Sequence, residues 1–423
     1  MTLLRQPGRG GYTHSMSVSR HVRESMEGAS WIRRMFEEGR RLKQRLGADQ
    51  VADLSLGNPV EEPPPAVRER LLQVAGDTAQ GTHRYMPNAG YDSTRSAVAA
   101  WLARQTGVPY GPGQVVMTVG AGGGLNVLLK ALLDPGDEVV LLAPYFAEYR
   151  FYVSNHGGVP VEVPTDARWQ PDADRVRAAI TPRTRAVMVN SPNNPTGAVY
   201  SRAHLQALAG VLEQASRQQG RPVWLVSDEP YRAIAYDGVE VPWPVTCYRD
   251  TVHVTSFSKD LGLPGERIGY LAIHPQSPDA EALVSACTFT TRILGFVNAP
   301  ALQQRLVERL LDVRVPLEGY ASKRARLLSA LARGGYEVVA PQGAFYLFPR
   351  VPRADGDDVA FVRDCVEERL LVVPGRGFGK PGWFRMSYAV TDRDVELACE
   401  ALVRVAARST ACGPGAARAG ASR

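Results

Sequence analysis

The sequence predicts an α/β protein in which a large domain, a mainly parallel sheet flanked by helices, is joined to a smaller α+β domain. Two patterns carry this prediction. From about residue 114, short apolar runs alternate with longer amphipathic stretches, and this alternation favours parallel strands connected by helices. After about residue 305 a long helical stretch and short strands replace the alternation. The second pattern predicts a separate packing unit, which we expect both ends of the chain to build.

Each element follows from a local pattern. Apolar positions at helical spacing predict a helix over 31–46, and three prolines before residue 66 favour a helix start there. The apolar runs that predict buried strands are 114–119, 138–143, 186–190, 222–227, 252–256 and 268–273. Between them helices are predicted over 125–133 and 203–218. The smaller domain is predicted to have a helix over 304–333 and strands at 336–340, 345–348 and 384–388.

The elements group into predicted domains. The large domain is expected over 71–304, and the small domain over 31–70 together with 305–407. An N-terminal extension (1–30) precedes them. A small, polar and glycine-rich tail (408–423) follows, and we expect it to be disordered.

Composition excludes several classes of protein. Of the 423 residues, 44% are hydrophobic and 22% charged, which is typical of a globular protein with a large core. No apolar window is long enough to span a membrane, and no secretory signal is evident. Five scattered cysteines predict a cytoplasmic location and no metal site. The net charge of +6 comes from an excess of basic residues at the two chain ends. The sequence has no basic stripe with interleaved aromatic residues, so nucleic acid is not an expected partner.

Lys259 is the residue that points most directly to chemistry. It is one of five lysines in a chain with 44 arginines. An amine can lose its proton and form a Schiff base with an aldehyde, whereas a guanidinium in practice cannot. The hydroxyls of Ser256 and Ser258, with Arg267 eight residues after the lysine, suggest an anionic group held beside that amine.

Further candidate site residues follow predicted strands, where parallel sheets bind ligands. The glycine turn 120–124 suits a phosphate, with a flexible turn as the alternative. The Asn-Pro loop 190–197 reads by itself as a structural turn. Asp228 ends an apolar run, so its carboxylate either meets a cation such as a protonated pyridine nitrogen, or caps a helix or forms a salt bridge. Arg385, within an apolar segment, is either ion-paired or binds a carboxylate.

These segments in this order resemble the class I/II aminotransferase family, pyridoxal phosphate enzymes of fold type I. The resemblance rests on the glycine turn, Asn-Asn-Pro-Thr-Gly (193–197), Asp-x-x-Tyr (228–231) and Ser-x-Ser-Lys followed by Gly-x-Arg (256–267), and it runs from about residue 54 to 403. It implies an enzyme of amino acid metabolism that binds pyridoxal 5′-phosphate. Such an enzyme forms an external aldimine with an α-amino acid and passes the amino group to a 2-oxo acid.

The resemblance also implies a role for each matching residue. The catalytic residues would be Lys259, which forms the Schiff base, Asp228, which pairs with the pyridine nitrogen, and Tyr231. The substrate α-carboxylate would be received by Gly57, Asn194 and Arg385. The other cofactor contacts would be Ser256, Arg267 and the backbone of Ala121 and Gly122 on the phosphate, Phe146 on the ring face, and Asn194 and Tyr231 on the phenolate oxygen. Tyr85 would reach the phosphate in the neighbouring subunit, which implies a homodimer.

Two departures leave questions open. The family often has glutamate and alanine where this chain has Gly123 and Gly124. The glycines are explained either by a helix that starts later in the sequence or by a bulky substrate that approaches the backbone there. We favour the later helix start. The segment 258–265 is also similar to the lysine segment of 1-aminocyclopropane-1-carboxylate synthases. The alternative to transamination is therefore elimination, γ-replacement, cyclisation or carbon–carbon bond formation on S-adenosylmethionine or a related amino acid, in specialised metabolite biosynthesis.

Two further points limit the functional prediction. No second arginine can be assigned to a distal substrate carboxylate, and Arg292 is a candidate only because it is near Asn298 in the sequence. A fused regulator of transcription is disfavoured because no N-terminal helix-turn-helix domain is evident.

Overall fold

The structure is a computed structural model that describes residues 18–28 and 30–411. The predicted N-terminal extension and C-terminal tail therefore lie partly outside the described residues. The described part of the extension contains a helix, and the last helix of the chain continues past residue 408, where the tail was predicted to begin, to Ala411. No helix in the described ranges is long and apolar enough to cross a membrane.

The helices and strands have the following bounds. The α-helices are α1 (Arg20–Gly28), α2 (Ser30–Leu46), α3 (Pro65–Ala75), α4 (Asp92–Thr106), α5 (Gly120–Leu132), α6 (Tyr149–Ser154), α7 (Ala173–Ala179), α8 (Arg202–Gln219), α9 (Ala280–Ile293), α10 (Ala301–Val307), α11 (Glu318–Arg333), α12 (Asp358–Glu367) and α13 (Asp392–Ala411). The strands are β1 (Ala52–Asp53), β2 (Val115–Thr118), β3 (Glu138–Ala143), β4 (Val159–Pro164), β5 (Thr184–Asn190), β6 (Trp224–Asp228), β7 (Thr251–Ser256), β8 (Gly269–Ile273), β9 (Tyr346–Leu347), β10 (Leu370–Leu371), β11 (Val373–Pro374) and β12 (Phe384–Ser387).

Seven strands form the central sheet in the order β2-β8-β7-β6-β5-β3-β4. The five strands from β7 to β4 are parallel to one another, and β8 runs antiparallel to both of its neighbours. The prediction of a mainly parallel sheet flanked by helices is confirmed. Because parallel strands end at the same edge, the segments after β5, β6 and β7 lie side by side, with Asn190 paired to Asp228 and Asp228 to Val254.

The wholly apolar strands follow from packing on both faces of this sheet. Val139 and Leu141 of β3 belong to a core cluster with Leu128 of α5. The alternate residue Val140 packs with Leu208 of α8 in a different cluster. Successive side chains of a strand point to opposite faces, so a strand covered by helices on both sides has no position for a polar residue.

A second core lies in the C-terminal region. It gathers apolar residues of β9, β12 and helices α11 to α13 around Phe345 and Phe384, and it includes Ala52 and Leu54 from the N-terminal region. Strand β1 pairs in parallel with β10. In contrast, Val67 of α3 packs with residues of α4 and α10 beside the central sheet. The domain boundaries stay a prediction, but the N-terminal residues clearly divide between the two cores.

Two sequence predictions were wrong, and one strand of the central sheet was missed. The single helix predicted over 304–333 is two helices, α10 and α11, because the intervening segment contains Pro316, which cannot continue a helix. The strand predicted over 336–340 does not form. Strand β4 was missed because it lies at the sheet edge, where its exposed and proline residues give no continuous apolar run.

The expected late start of helix α5 was also wrong, since the helix begins at Gly120. Close packing explains the glycines instead. A Cβ on Gly124 would lie 3.1 Å from Cγ1 of Val254 and 3.2 Å from Oγ1 of Thr118, and one on Gly123 would lie 3.3 Å from Cβ of Val119. The absence of side chains here lets the helix start press against the sheet.

We expect Gly197→Ala to destabilise the protein by roughly 2–4 kcal/mol. Gly197 has a φ of +70°, and a Cβ there would lie 2.3 Å from Cβ of Pro341 and 2.9 Å from the Gly343 carbonyl oxygen. Gly210→Ala is the matched control: nothing lies within 4 Å of its Cβ position inside helix α8. It should stabilise by roughly 0.5–1 kcal/mol. Urea unfolding measures both, and equal effects would contradict the packing argument.

Candidate active site

The carboxyl ends of β6 and β7 and the start of α5 border a cavity of about 190 Å³. Nine of the predicted site residues line it: Ala121, Gly122, Phe146, Asn194, Asp228, Tyr231, Ser256, Lys259 and Arg267. Three predicted residues are not part of its lining: Gly57, Tyr85 and Arg385. The segments that the sequence singled out separately therefore converge on one place.

Lys259 follows β7 and its side chain reaches into the cavity. Its Nζ donates a hydrogen bond of 2.8 Å to the carbonyl oxygen of Gly57. Burial, assisted by the positive charges of Arg267 and Arg385, lowers the pKa of this amine to about 8. A substantial fraction of the amine is therefore neutral near physiological pH and able to act as a nucleophile.

Asp228 is the last residue of β6, and one of its carboxylate oxygens is unused. Oδ2 accepts a short hydrogen bond from the Tyr149 hydroxyl. Oδ1 is buried and has no hydrogen-bond partner among the described residues. Burial raises the pKa of this carboxyl to about 7, although the bond from Tyr149 opposes the rise. The Asp228 carboxylate neither caps a helix nor forms a salt bridge with any described residue. One of its oxygens therefore stays free to accept a hydrogen bond from a donor in the cavity.

The other end of the cavity is built to hold an anion. Helix α5 begins there, and its first backbone N–H groups are free of intrahelical partners. Gly120 has a φ of +68°, and a Cβ on it would lie 2.8 Å from Nη2 of Arg267. Arg267 itself has a φ of +51°, an uncommon backbone conformation that is often found at functional sites. Ser256 and Ser258 complete the lining at this end.

The Asn-Pro loop is fixed by hydrogen bonds from neighbouring strands. The side chain of Asn190 accepts from the backbone N–H of Asn194 at 2.7 Å and donates to the Asp228 carbonyl oxygen at 2.8 Å. On the adjacent wall the hydroxyls of Tyr231 and Tyr346 are 2.9 Å apart. Burial raises the pKa of Tyr231 well above its usual value, so its hydroxyl keeps its proton.

Arg385, on strand β12, is a buried cation beside the cavity. It donates to the Ser55 carbonyl oxygen at 2.6 Å and to Oδ1 of Asn194 at 3.2 Å. Its guanidinium carbon lies 4.9 Å from the ring centre of Tyr346 and 4.7 Å from that of Phe378. No carboxylate of the described chain is within ion-pair distance, and its Nε has no partner. A buried guanidinium in this state is suited to a carboxylate ligand.

Sequence reasoning missed several residues of the site. Tyr149, Tyr152 and Glu148 come from the aromatic run 145–152, of which only Phe146 was selected. Tyr149 begins helix α6 and Phe146 precedes that helix, so helical spacing does not link the two residues in the sequence. Tyr346 was missed because nothing in the sequence links it to Tyr231.

Tyr85 is the one predicted site residue that is far more exposed than buried. Its side chain is 88% exposed in the single chain, and it is not part of the cavity lining.

Comparisons with known proteins agree with this combination of fold and site. The chain belongs to the class I and II aminotransferase family, whose model matches residues 49–402. It is 36% identical over 370 residues to an aspartate/prephenate aminotransferase from Thermus thermophilus, covering 86% of this chain and 93% of the relative. It is 31% identical over 365 residues to an aspartate aminotransferase from Thermotoga maritima, covering 84% and 91% respectively.

Solved structures give the same result. A crystal structure of an aminotransferase from Eubacterium rectale aligns with a TM-score of 0.89 and 36% identity, covering 93% of this chain and 99% of the other. The protein is therefore a pyridoxal phosphate-dependent aminotransferase that acts on an amino acid and an oxo acid. The alternative of a synthase that eliminates or cyclises its substrate is not favoured.

The site fits pyridoxal phosphate. The free Oδ1 of Asp228 can face the ring nitrogen, and the cradle of α5 and Arg267 can hold the phosphate. Lys259 lies in the lining of the same cavity. The unpaired polar groups of the cavity thus match the charged groups of the cofactor.

For the protein stripped of cofactor, we expect the rate of covalent attachment of pyridoxal phosphate to rise with pH and to level off above about pH 8. Only the neutral amine attacks an aldehyde, and burial lowers the pKa of Lys259 to about 8. Stopped-flow absorbance at constant ionic strength gives the rate. N-acetyl-lysine is the control, and its rate should keep rising toward roughly pH 10. A protein rate that still climbs tenfold between about pH 9 and 10 would contradict the lowered pKa.

Proposed function

We propose that the cavity carries out amino transfer between an α-amino acid and a 2-oxo acid, with Lys259 and Asp228 as its principal catalytic residues. The observation that carries the proposal is the presence, in one cavity, of a buried amine whose pKa is lowered to about 8 and of a buried Asp228 oxygen that has no partner among the described residues. The amine can act as a base near neutral pH, and the carboxylate oxygen can pair with a cationic ring nitrogen.

Asp228 has the role of holding a proton on the cofactor ring. Bound pyridoxal phosphate supplies an aldehyde that takes up amino groups and a ring that accepts electrons. Oδ1 of Asp228, which has no partner among the described residues, would accept a hydrogen bond from the protonated ring nitrogen, and its charge would stabilise that proton. Tyr149 donates to the other oxygen, which favours the ionised carboxylate against the effect of burial and fixes its orientation.

Lys259 acts first as the attachment point and then as the base. With the cofactor bound, Lys259 would hold its aldehyde carbon, and the amine, when free, would serve as the base for the proton on the substrate Cα. Arg385 and the backbone N–H of Gly57 hold the substrate carboxylate, which aligns the Cα–H bond with the amine. Gly57 must lack a side chain, since a Cβ there would lie 1.9 Å from the Tyr346 hydroxyl oxygen.

The remaining lining residues bind and orient the cofactor. Ser256, Arg267 and the N–H groups of Ala121 and Gly122 hold the phosphate. Phe146 covers the ring, and its edge-to-face contact with Tyr149, with ring centres 5.4 Å apart, supports that position. Asn194 and Tyr231 would donate hydrogen bonds to the phenolate oxygen of the cofactor, and the raised pKa of Tyr231 favours its role as a donor.

The proposed assembly is a homodimer in which Tyr85 completes the phosphate site of the partner. Its 88% exposure in the single chain supports a position in an interface. A cytoplasmic location stays a prediction of the cysteine pattern.

The names of the relatives offer aspartate and prephenate as substrates. Both carry a second carboxylate, which needs a further cation in the site. We therefore assign this chain the general α-amino acid and 2-oxo acid pair.

Asp228→Asn should lower turnover by about a thousandfold, because the neutral amide no longer stabilises a positive ring nitrogen. The same change should leave the apoprotein as stable or more stable, because it removes an unpaired buried charge. Steady-state kinetics and thermal unfolding of the apoprotein measure the two effects. Asp357→Asn, at the exposed cap of α12, is a matched control that should leave turnover unchanged. Unchanged turnover in Asp228→Asn would overturn its role.

Mixed dimers test Tyr85. Tyr85→Ala should weaken cofactor binding by about tenfold or more, and Lys259→Ala should abolish turnover. When the two variants are mixed and allowed to exchange subunits, one site of each mixed dimer regains both native residues. We expect activity at low cofactor concentration to exceed the sum of the separate variants. No gain in subunit-exchanged samples would show that Tyr85 does not act across an interface.

A further inference from the structure

Glu148 is a half-buried acid that adjoins two cavity residues in the chain, and the catalytic mechanism does not use it. It lies between two residues of the lining, Phe146 and Tyr149, immediately before helix α6. Its Oε2 is buried and has no hydrogen-bond partner among the described residues. Burial raises the pKa of this carboxyl, while a hydrogen bond from the backbone of Glu148 and the charge of Arg385 oppose the rise. A buried carboxylate oxygen without a donor is unfavourable unless a ligand supplies one.

The packing of the preceding residue places Glu148 near Arg385. Ala147 belongs to one apolar cluster with Phe378, and the guanidinium carbon of Arg385 lies 4.7 Å from the ring centre of Phe378. The charge of Glu148 helps to raise the pKa of Tyr152, which lines the cavity, to about 12, burial being the larger cause. It acts in the same direction on Tyr346, the hydrogen-bond partner of Tyr231. Arg385, which receives the substrate carboxylate in the proposed function, is the third group within range. Glu148 is thus close to where a bound amino acid would project its side chain.

The positive charges around the cavity are already assigned. Lys259 and Arg267 are the basic residues of its described lining, and Arg385 lies beside it. The proposed function commits them to the Schiff base, the phosphate and the α-carboxylate. Arg292 does not line the cavity, and its guanidinium carbon lies 5.4 Å from the ring centre of Phe289. A second substrate carboxylate would therefore meet the negative charge of Glu148 without a compensating cation from the same chain.

We propose that Glu148 is a specificity-determining residue, and that one of the two amino acid substrates carries a cationic side chain whose N–H groups bind its carboxylate. The inference rests on the proposed function, because Arg385 must hold the other end of the same amino acid. Charge-assisted hydrogen bonds to an ammonium or guanidinium group would satisfy Oε2. The same charge repels side chains that end in a carboxylate, which sets this chain apart from relatives named for aspartate.

The holoenzyme can be tested one amino acid at a time, without an acceptor, by following the change in cofactor absorbance as the amino group is transferred. The probes are ornithine and lysine as cationic donors, norleucine as a neutral donor of similar length, and aspartate and glutamate as acidic donors. Wild type should react faster with a cationic donor than with norleucine, and more slowly with the acidic donors.

Glu148→Gln keeps the shape of the side chain and removes its charge. The ratio of kcat/KM for the cationic donor to that for norleucine should fall by about tenfold to a hundredfold, and the ratio for glutamate to norleucine should rise. If Glu148 only supported Arg385, the substitution would lower kcat/KM equally for all donors and leave both ratios unchanged. That result would overturn the inference. A preference of wild type for aspartate that Arg292→Ala abolishes would overturn it too, since the partner subunit would then supply the missing cation.

The two levels of proposal fail in different ways. If no amino acid changes the cofactor absorbance, the proposed function itself is wrong. If norleucine or an acidic donor reacts while ornithine and lysine do not, amino transfer stands and the role of Glu148 is overturned.

Discussion

The free carboxylate oxygen of Asp228 is the feature on which the rest of the site depends. Asp228 is buried, accepts one hydrogen bond from Tyr149 and has one oxygen without a partner among the described residues. Its ionised form is therefore unfavourable in the protein alone, as its raised pKa indicates. The fold holds it there because it terminates a central strand whose neighbours on both sides are hydrogen-bonded to it. Arg385 is the counterpart, a buried cation without a carboxylate partner in the described chain. A cationic ring nitrogen would pair with the free oxygen of Asp228, and a ligand carboxylate would pair with Arg385.

The geometry of these groups follows from topology and from small residues at a few points. Parallel strands bring the segments after β5, β6 and β7 to one edge of the sheet. The glycines at the start of α5 let that helix press on the sheet and point its free N–H groups into the cavity. The C-terminal core supplies Arg385 and Tyr346 from the opposite side. Neither core contains the whole site, so the packing between them fixes the distance between amine and substrate.

The sequence predicted the central sheet well because buried parallel strands are continuously apolar, as in β3 and β5. It predicted Lys259, Asp228 and Arg267 through local patterns joined by a family resemblance. It missed strand β4, whose edge position gives no apolar run, and the break before α11. It also missed Tyr149 and Glu148, because their importance comes from the partners they meet in space, Asp228 and Arg385. Contacts between distant segments leave no trace in spacing or composition.

The most direct measurement is the nitrogen-15 chemical shift of pyridoxal phosphate labelled at the ring nitrogen and bound to the wild-type enzyme. We expect the shift of a protonated pyridine that stays constant from pH 6 to 9, because the ionised Asp228 stabilises the ring proton (about 1.4 kcal/mol for each pH unit by which the ring pKa is raised). A ring nitrogen that is unprotonated at neutral pH in the folded, covalently loaded enzyme would contradict it.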